Sequence, residues 1–265
     1  MKPLLRFLWL CVFLGGVARP ACCGGDERDM IFQTAPFQSL NKGVYDGLIS
    51  YAVLKDCGDF GLGTFNALDG EMVCVDGVFY QIRADGKSGP VPDAVLTPFA
   101  MLTFFDEDRR IEAVNAGSLA ELCRIIDRSR PTKNLFYALR VDGRFDYLKL
   151  RSVPPQKKPY PSLAEALKGQ TVFEYKNITG TLAGFWSPSF AEKIGVPGYH
   201  FHFISREKNI GGHALDLRFH GLNVRMDRCA GLTVVTPENG DYFSADLEES
   251  KTATQNAHDP ASANP

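Results

Sequence analysis

Several absences narrow the field before any motif is considered. The chain of 265 residues has no long basic run, and its 29 Lys and Arg face 31 Asp and Glu, a net charge of −2. A phosphate backbone demands a clustered positive surface, which excludes nucleic acid as a partner. No apolar run reaches the roughly 20 residues that a membrane-spanning helix needs. The seven cysteines include no Cys-x-x-Cys, which argues against a thiolate zinc site. The glycine fingerprint of dinucleotide folds and the phosphate loop are both missing, since Gly61-x-Gly63 lacks the rest of either motif. No fixed-period repeat and no interior low-complexity tract interrupts the chain. Histidine is scarce, at five.

What is present points to a folded domain or two. Hydrophobic residues make up 45% of the chain, with 19 Phe and 9 Tyr, enough to build a sizeable core. The 16 Pro and 25 Gly favour many turns and short elements over long helices. Residues 1–25 read as a secretory signal: Lys2 and Arg6, the apolar stretch Phe7–Val17, then small residues. The chain is therefore expected to be exported, to the periplasm or medium, with no membrane attachment once the signal is removed. Cys22 permits a lipoprotein reading, though Arg19-Pro20-Ala21 before it is a weak attachment box. Cys57, Cys74, Cys123 and Cys229 remain, and they are expected to be small buried hydrophobes rather than disulfides.

The local patterns predict an α+β fold of two sheet-based subdomains, with mixed and antiparallel strands and few short helices. Helical spacing marks 41–55, and Ser118 with Glu121 forms a capping box for a helix over 118–128. A hairpin and a further strand are expected over 59–80, and another strand over 97–105. Asp142-Gly143 suggests a tight turn between strands 135–141 and 145–153. Four prolines over 154–161 mark a linker, separating a subdomain at 26–153 from a β-rich one at 154–247. A short helix then starts at Ser162, with later turns at Asn177, Gly180, Gly211-Gly212 and Gly221. The polar tail covers 248–265.

Three of the histidines fall between positions 200 and 213. Tyr199, Phe201 and Phe203 alternate with His200 and His202, and residues two apart on a strand share a face. The turn-forming residues 205–212 allow the next strand to return and bring His213 beside that pair. Three converging imidazoles suit a first-row transition metal and leave positions for substrate. The bland alternative is three unrelated histidines on a polar sheet face. Zinc, iron and manganese all stay open on these residues. Glu71, starting the return strand of the hairpin within 59–80, is either solvated surface or a carboxylate whose apolar neighbours raise its pKa for proton transfer. His220 and His258 lie outside the hairpin pattern.

Longer motifs make a resemblance specific. Gly61–Met72 (GLGTFNALDGEM), Gln156–Tyr160 (QKKPY), Gly180–Pro188 (GTLAGFWSP) and Val196–Ser205 with Gly211–Asp216 (VPGYHFHFIS, GGHALD) resemble alpha-acetolactate decarboxylase, in the same order, over about 31–247. The resemblance implies a zinc-dependent lyase (Zn2+), often a homodimer, that turns 2-acetolactate, a 2-hydroxy-3-keto acid, into (R)-acetoin and carbon dioxide. It implies that His200, His202 and His213 bind the zinc, that Glu71 handles a proton, and that Arg151 is the active-site arginine. Taken alone, Arg151 reads as a surface strand residue. The family also brings a tail glutamate to the metal. Asp259 is its positional match here, one methylene shorter, with Glu248 and Glu249 as alternatives. Two further classes use the same histidines: a cupin-like iron or manganese oxygenase or isomerase, suggested by His-x-His before Glu207, and a non-catalytic exported metal-binding module.

Overall fold

The computed structural model describes residues 29–248. The signal segment, Glu249 and Asp259 lie outside the described residues. In chain order, strand β1 spans Met30–Thr34, helix α1 Phe37–Asn41, β2 Ile49–Ser50, α2 Tyr51–Leu54, β3 Phe60–Thr64, β4 Glu71–Val75 and β5 Val78–Ile82. β6 (Ser88–Pro90), β7 (Leu96–Thr97), β8 (Ala100–Thr103) and β9 (Arg109–Ala116) follow, then α3 (Leu119–Ser129) and β10 (Phe136–Ser152). The chain continues through α4 (Leu163–Ala166), β11 (Thr171–Ser187), β12 (Gly198–Ser205), β13 (Gly211–Cys229), β14 (Gly231–Val235) and α5 (Gly240–Ser244).

Two sheets carry the architecture, as the α+β expectation required. The first has the order β14-β1-β8-β3-β4-β5-β6, and the second β10-β11-β12-β13-β9. Membership crosses residue 154 in both directions: β14 joins the first sheet, parallel to β1, while β9 and β10 belong to the second. In the second sheet β10 pairs with β11 on one edge and β13 on the other, and β12 bridges those two. These four strands therefore close into a ring.

Period-two alternation then decides what faces where. Along β12, Tyr199, Phe201 and Phe203 join the core enclosed by the ring, where Phe145 meets Phe203 and Phe219 edge-to-face at 5.3 and 5.4 Å. Ile204 points the other way, with Ala183 and Phe185, into a separate core shared with Phe60, Leu62 and Val73 of the first sheet. The outer face of β12 thus looks at β4, and His200 and His202 have that orientation.

Several local expectations hold. The 59–80 hairpin and strand are present as β3, β4 and β5. The Ser118 hydroxyl accepts the Glu121 N–H at 3.1 Å, while the Glu121 carboxylate reaches back to the Gly117 N–H at 2.8 Å. The four described cysteines are thiols rather than disulfides, and three of them are buried. The 97–105 strand is shorter, β8 with β7 ahead of it.

Other expectations fail for tertiary reasons. The 41–55 helix is broken into the end of α1, a loop, β2 and α2. Gly43 has φ +83°, and a side chain at Gly47 would meet the Thr97 carbonyl oxygen at 1.7 Å. Asp142-Gly143 makes no turn, and β10 runs straight through it. The Asp142 carboxylate is bound by Arg140, Thr181 and Arg225, and Leu222 packs where a Gly143 side chain would be. Asn177 and Gly180 lie within β11, and Gly221 within β13 at a shift of register with β9.

Candidate active site

Register brings the central residues into line. His213 on β13 is paired with His202 on β12 and with Arg151 on β10, and residues directly opposite on neighbouring strands present side chains to one face. The turn after β12 does return the chain antiparallel, as its composition predicted. Glu71 arrives from the first sheet, as the first residue of β4. It is positioned by the hairpin that Thr64 closes, whose hydroxyl donates to the Gly70 carbonyl at 2.7 Å.

The three imidazoles converge on one point. His200 Nε2 lies 3.1 Å from His202 Nε2 and 3.1 Å from His213 Nδ1, and the donor atoms all lie within 4.8 Å of one another. His202 Nδ1 is 2.7 Å from the Met72 carbonyl. A carbonyl only accepts, so Nδ1 carries the proton and Nε2 presents a bare lone pair. Burial pulls the His202 pKa down to about 3, against the Met72 hydrogen bond and with help from the Arg151 charge, so the ring is a neutral ligand at physiological pH.

This donor set fits a metal ion. His200 Nε2 has one proton at most, which satisfies only one of its two short contacts. A shared cation relieves the crowding of lone pairs. Nitrogens about 2.0–2.1 Å from a tetrahedral centre lie roughly 3.3 Å apart, close to the observed 3.1 Å.

Beside the trio is a buried ion pair. Glu71 Oε1 accepts from Arg151 Nη1 at 2.9 Å, and Glu71 Oε2 is 3.4 Å from His202 Nε2. Burial raises the Glu71 pKa above the ordinary carboxylate range, outweighing the lowering by Arg151. Arg151 is 5% exposed, so the surface position its local sequence suggests is overturned by its place between β11 and β13. Glu71 is likewise buried rather than solvated.

All five residues line one cavity. Part of its apolar lining was not legible as part of a site: Phe37 and Leu40 from α1, Leu163 from α4, Leu167 from the 3-10 turn that follows, and Val196. Apolar residues in short helices carry no signal that separates a cavity wall from core. The Met72 carbonyl was missed as well, because a backbone acceptor leaves no mark in the sequence. Among the tail candidates, only Glu248 is described, and it is exposed. His220 sits on the surface, paired with Asp146 at 2.7 Å.

Comparison with known proteins bears on this geometry. A family model described as alpha-acetolactate decarboxylase matches residues 31–249. The chain is 43% identical to the alpha-acetolactate decarboxylase of Methanosarcina mazei, covering 84% of this chain and 77% of that protein. It is 42% identical to the one from Methylococcus capsulatus, over 84% of this chain and 86% of that protein. The crystal structure of alpha-acetolactate decarboxylase from Bacillus subtilis strain 168 superposes with a TM-score of 0.79 at 39% identity, covering 83% of this chain and 94% of that one.

Proposed function

Since the chain belongs to the alpha-acetolactate decarboxylase family and is a carbon–carbon lyase, we propose that it converts 2-acetolactate to (R)-acetoin and carbon dioxide at a zinc ion held by His200, His202 and His213. The observation that carries this reading is the meeting of the trio with the Glu71–Arg151 pair in one cavity. Family membership favours it over the cupin-like and non-catalytic alternatives.

When bound, the zinc supplies Lewis acidity for the negative charge that develops as carbon dioxide leaves. The remaining work falls to the chain. Arg151 offers guanidinium N–H groups in a fixed fork, which hold the substrate carboxylate and orient the scissile bond. Glu71, with its raised pKa, holds a proton at higher pH than an ordinary carboxyl. It stands on one side of the cavity, so it delivers that proton to one face of the carbon, which sets the product's configuration. The apolar wall keeps water from the reacting centre.

The basic and apolar residues of 1–25 support action after export, and the family resemblance supports a homodimer. Cell fractionation and sedimentation test those two points. The reaction itself is tested by acetoin formation from racemic 2-acetolactate, before and after chelation and zinc restoration. Acetoin that vanishes with the metal and returns with zinc is expected. A folded, zinc-loaded sample that makes none would overturn the reading, and oxygen-dependent turnover would favour the cupin-like one.

A further inference from the structure

The cavity lining is of two chemical kinds, polar and apolar side chains contributed by different parts of the fold. The polar lining, with Glu71, Arg151 and the three histidines, comes from β4, β10, β12 and β13. Those strands each pair with neighbours in a sheet, and His213 is held by partners on both sides, next to a register shift of the β10–β13 ladder at Lys149 and Leu150. The apolar lining has several sources, with Leu68, Phe99, Val153 and Val196 coming from loops and turns around the sheets and the rest from short helical segments. Phe37 and Leu40 project from α1, Leu163 from α4 and Leu167 from the 3-10 turn after it. These side chains are nearly buried, Leu163 at 4% and Leu167 at 6% exposed, so they close the cavity rather than border open solvent.

The substrate proposed above divides in the same way. Around its quaternary carbon, the carboxylate, the hydroxyl and the neighbouring keto oxygen are all polar functions, which need donors or a cation. Its two alkyl groups, one on the quaternary carbon and one on the acyl carbon, need neither. With the oxygens held at the strand-borne lining, an alkyl group is left to face the leucines.

Resting on that reading of the site, we propose that Leu163 and Leu167 determine substrate specificity, setting the largest alkyl substituent that a 2-hydroxy-3-keto acid can carry into the cavity. The helical segments measure the alkyl group while the strand-borne lining performs the same chemistry on every homologue. α4 is well suited to tuning size. It is four residues long, is capped through the Ser162 hydroxyl accepting the Glu165 N–H at 3.4 Å, and contributes no strand to either sheet. A side chain on it can change volume without disturbing a ladder residue of the polar lining.

The test compares kcat/KM for 2-acetolactate with that for the homologue carrying n-propyl in place of methyl on the quaternary carbon. Leu163→Ala and Leu167→Ala are each expected to raise the propyl-to-methyl ratio about tenfold, the discrimination that a few methylenes of pocket space provide. Should either alanine variant fold poorly, Leu163→Val and Leu167→Val are expected to move the ratio in the same direction by a smaller factor. Leu167→Phe should lower it. Leu122→Ala, in the separate core beneath α3, controls for general loosening and should leave the ratio where it was. Folded variants whose ratio equals that of the wild type, or a Leu122→Ala shift as large as theirs, would overturn the proposal. Wild-type protein that fails to turn over 2-acetolactate itself would instead overturn the decarboxylase reading beneath it.

Discussion

Glu71 and Asp227 are both buried carboxylates, at 7% and 0% exposed, yet their surroundings differ in kind. Glu71 faces Arg151 at 2.9 Å and lines the cavity. Asp227, on β13, has the Asp106 N–H on one oxygen at 3.3 Å, while its other oxygen is buried without a hydrogen-bond partner. Burial pushes the Asp227 pKa up to about 7. The Asp106 N–H opposes that rise, and the charges of Asp108, Asp29 and Asp106 add to it. Both acids are therefore perturbed in the same direction by the same leading cause. Only Glu71 combines the perturbation with a cation, an imidazole and a space for substrate. A raised pKa marks a buried acid; the neighbours decide whether it is a working one.

That contrast can be attacked from either side. The largest effect is expected from Glu71→Gln, which keeps the shape but removes the transferable proton. Turnover should fall by roughly 10²–10⁴-fold, the usual contribution of a positioned acid or base, while metal analysis shows the zinc retained. Near-normal turnover would place the proton elsewhere.

Arg151→Gln should make Glu71 resemble Asp227. Removing one partner of a buried pair leaves the other uncompensated, at about 3 kcal/mol. The sign follows from proton linkage: with its pKa raised further, native Glu71 binds a proton that the unfolded chain has already released. The loss of stability is thus small at low pH and grows as pH rises through the raised pKa. Denaturant unfolding at pH 5 and pH 8 should show the variant falling behind the wild type at pH 8. Equal deficits at both values would contradict this.

Asp227→Asn should produce the smaller, opposite change. The native pKa of about 7 stands above the unfolded value near 3.9. The wild type therefore loses stability as pH rises between them, and the whole penalty is present above pH 7. The gap is worth about 4 kcal/mol at full size, but the Asn amide leaves its NH2 buried where an oxygen now lacks a partner. The variant is therefore expected to be about 2 kcal/mol more stable at pH 8, with a flatter profile from pH 4 to 7 and unchanged turnover. An unaltered pH profile would show that Asp227 does not titrate in this range.

The site divides along a similar line in how far it was legible. The histidine trio could be read from the chain, because a period-two strand, a short turn and a return strand place all three residues by local geometry. The aromatic alternation of Tyr199, Phe201 and Phe203 announced which face was core. Glu71 and Arg151 are separated by 80 positions and belong to different sheets. Nothing local distinguishes Arg151 from an exposed strand arginine, and only the family resemblance singled it out. Turn residues misled for a related reason. Asp142-Gly143 has the composition of a hairpin, but its side-chain partners Arg140, Thr181 and Arg225 come partly from β11 and β13, which hold the pair extended.

By itself, then, the sequence determined the α+β class, the capped helix α3, the β3–β4 hairpin and the converging histidines, since each depends on contacts within about twenty residues. Tertiary structure alone decided that β10 to β13 close into a ring, that the outer face of β12 meets β4, and that α1 and α4 complete the cavity. Those outcomes depend on which buried surfaces match in shape and which distant polar groups satisfy one another. Such choices are made only when the whole chain packs.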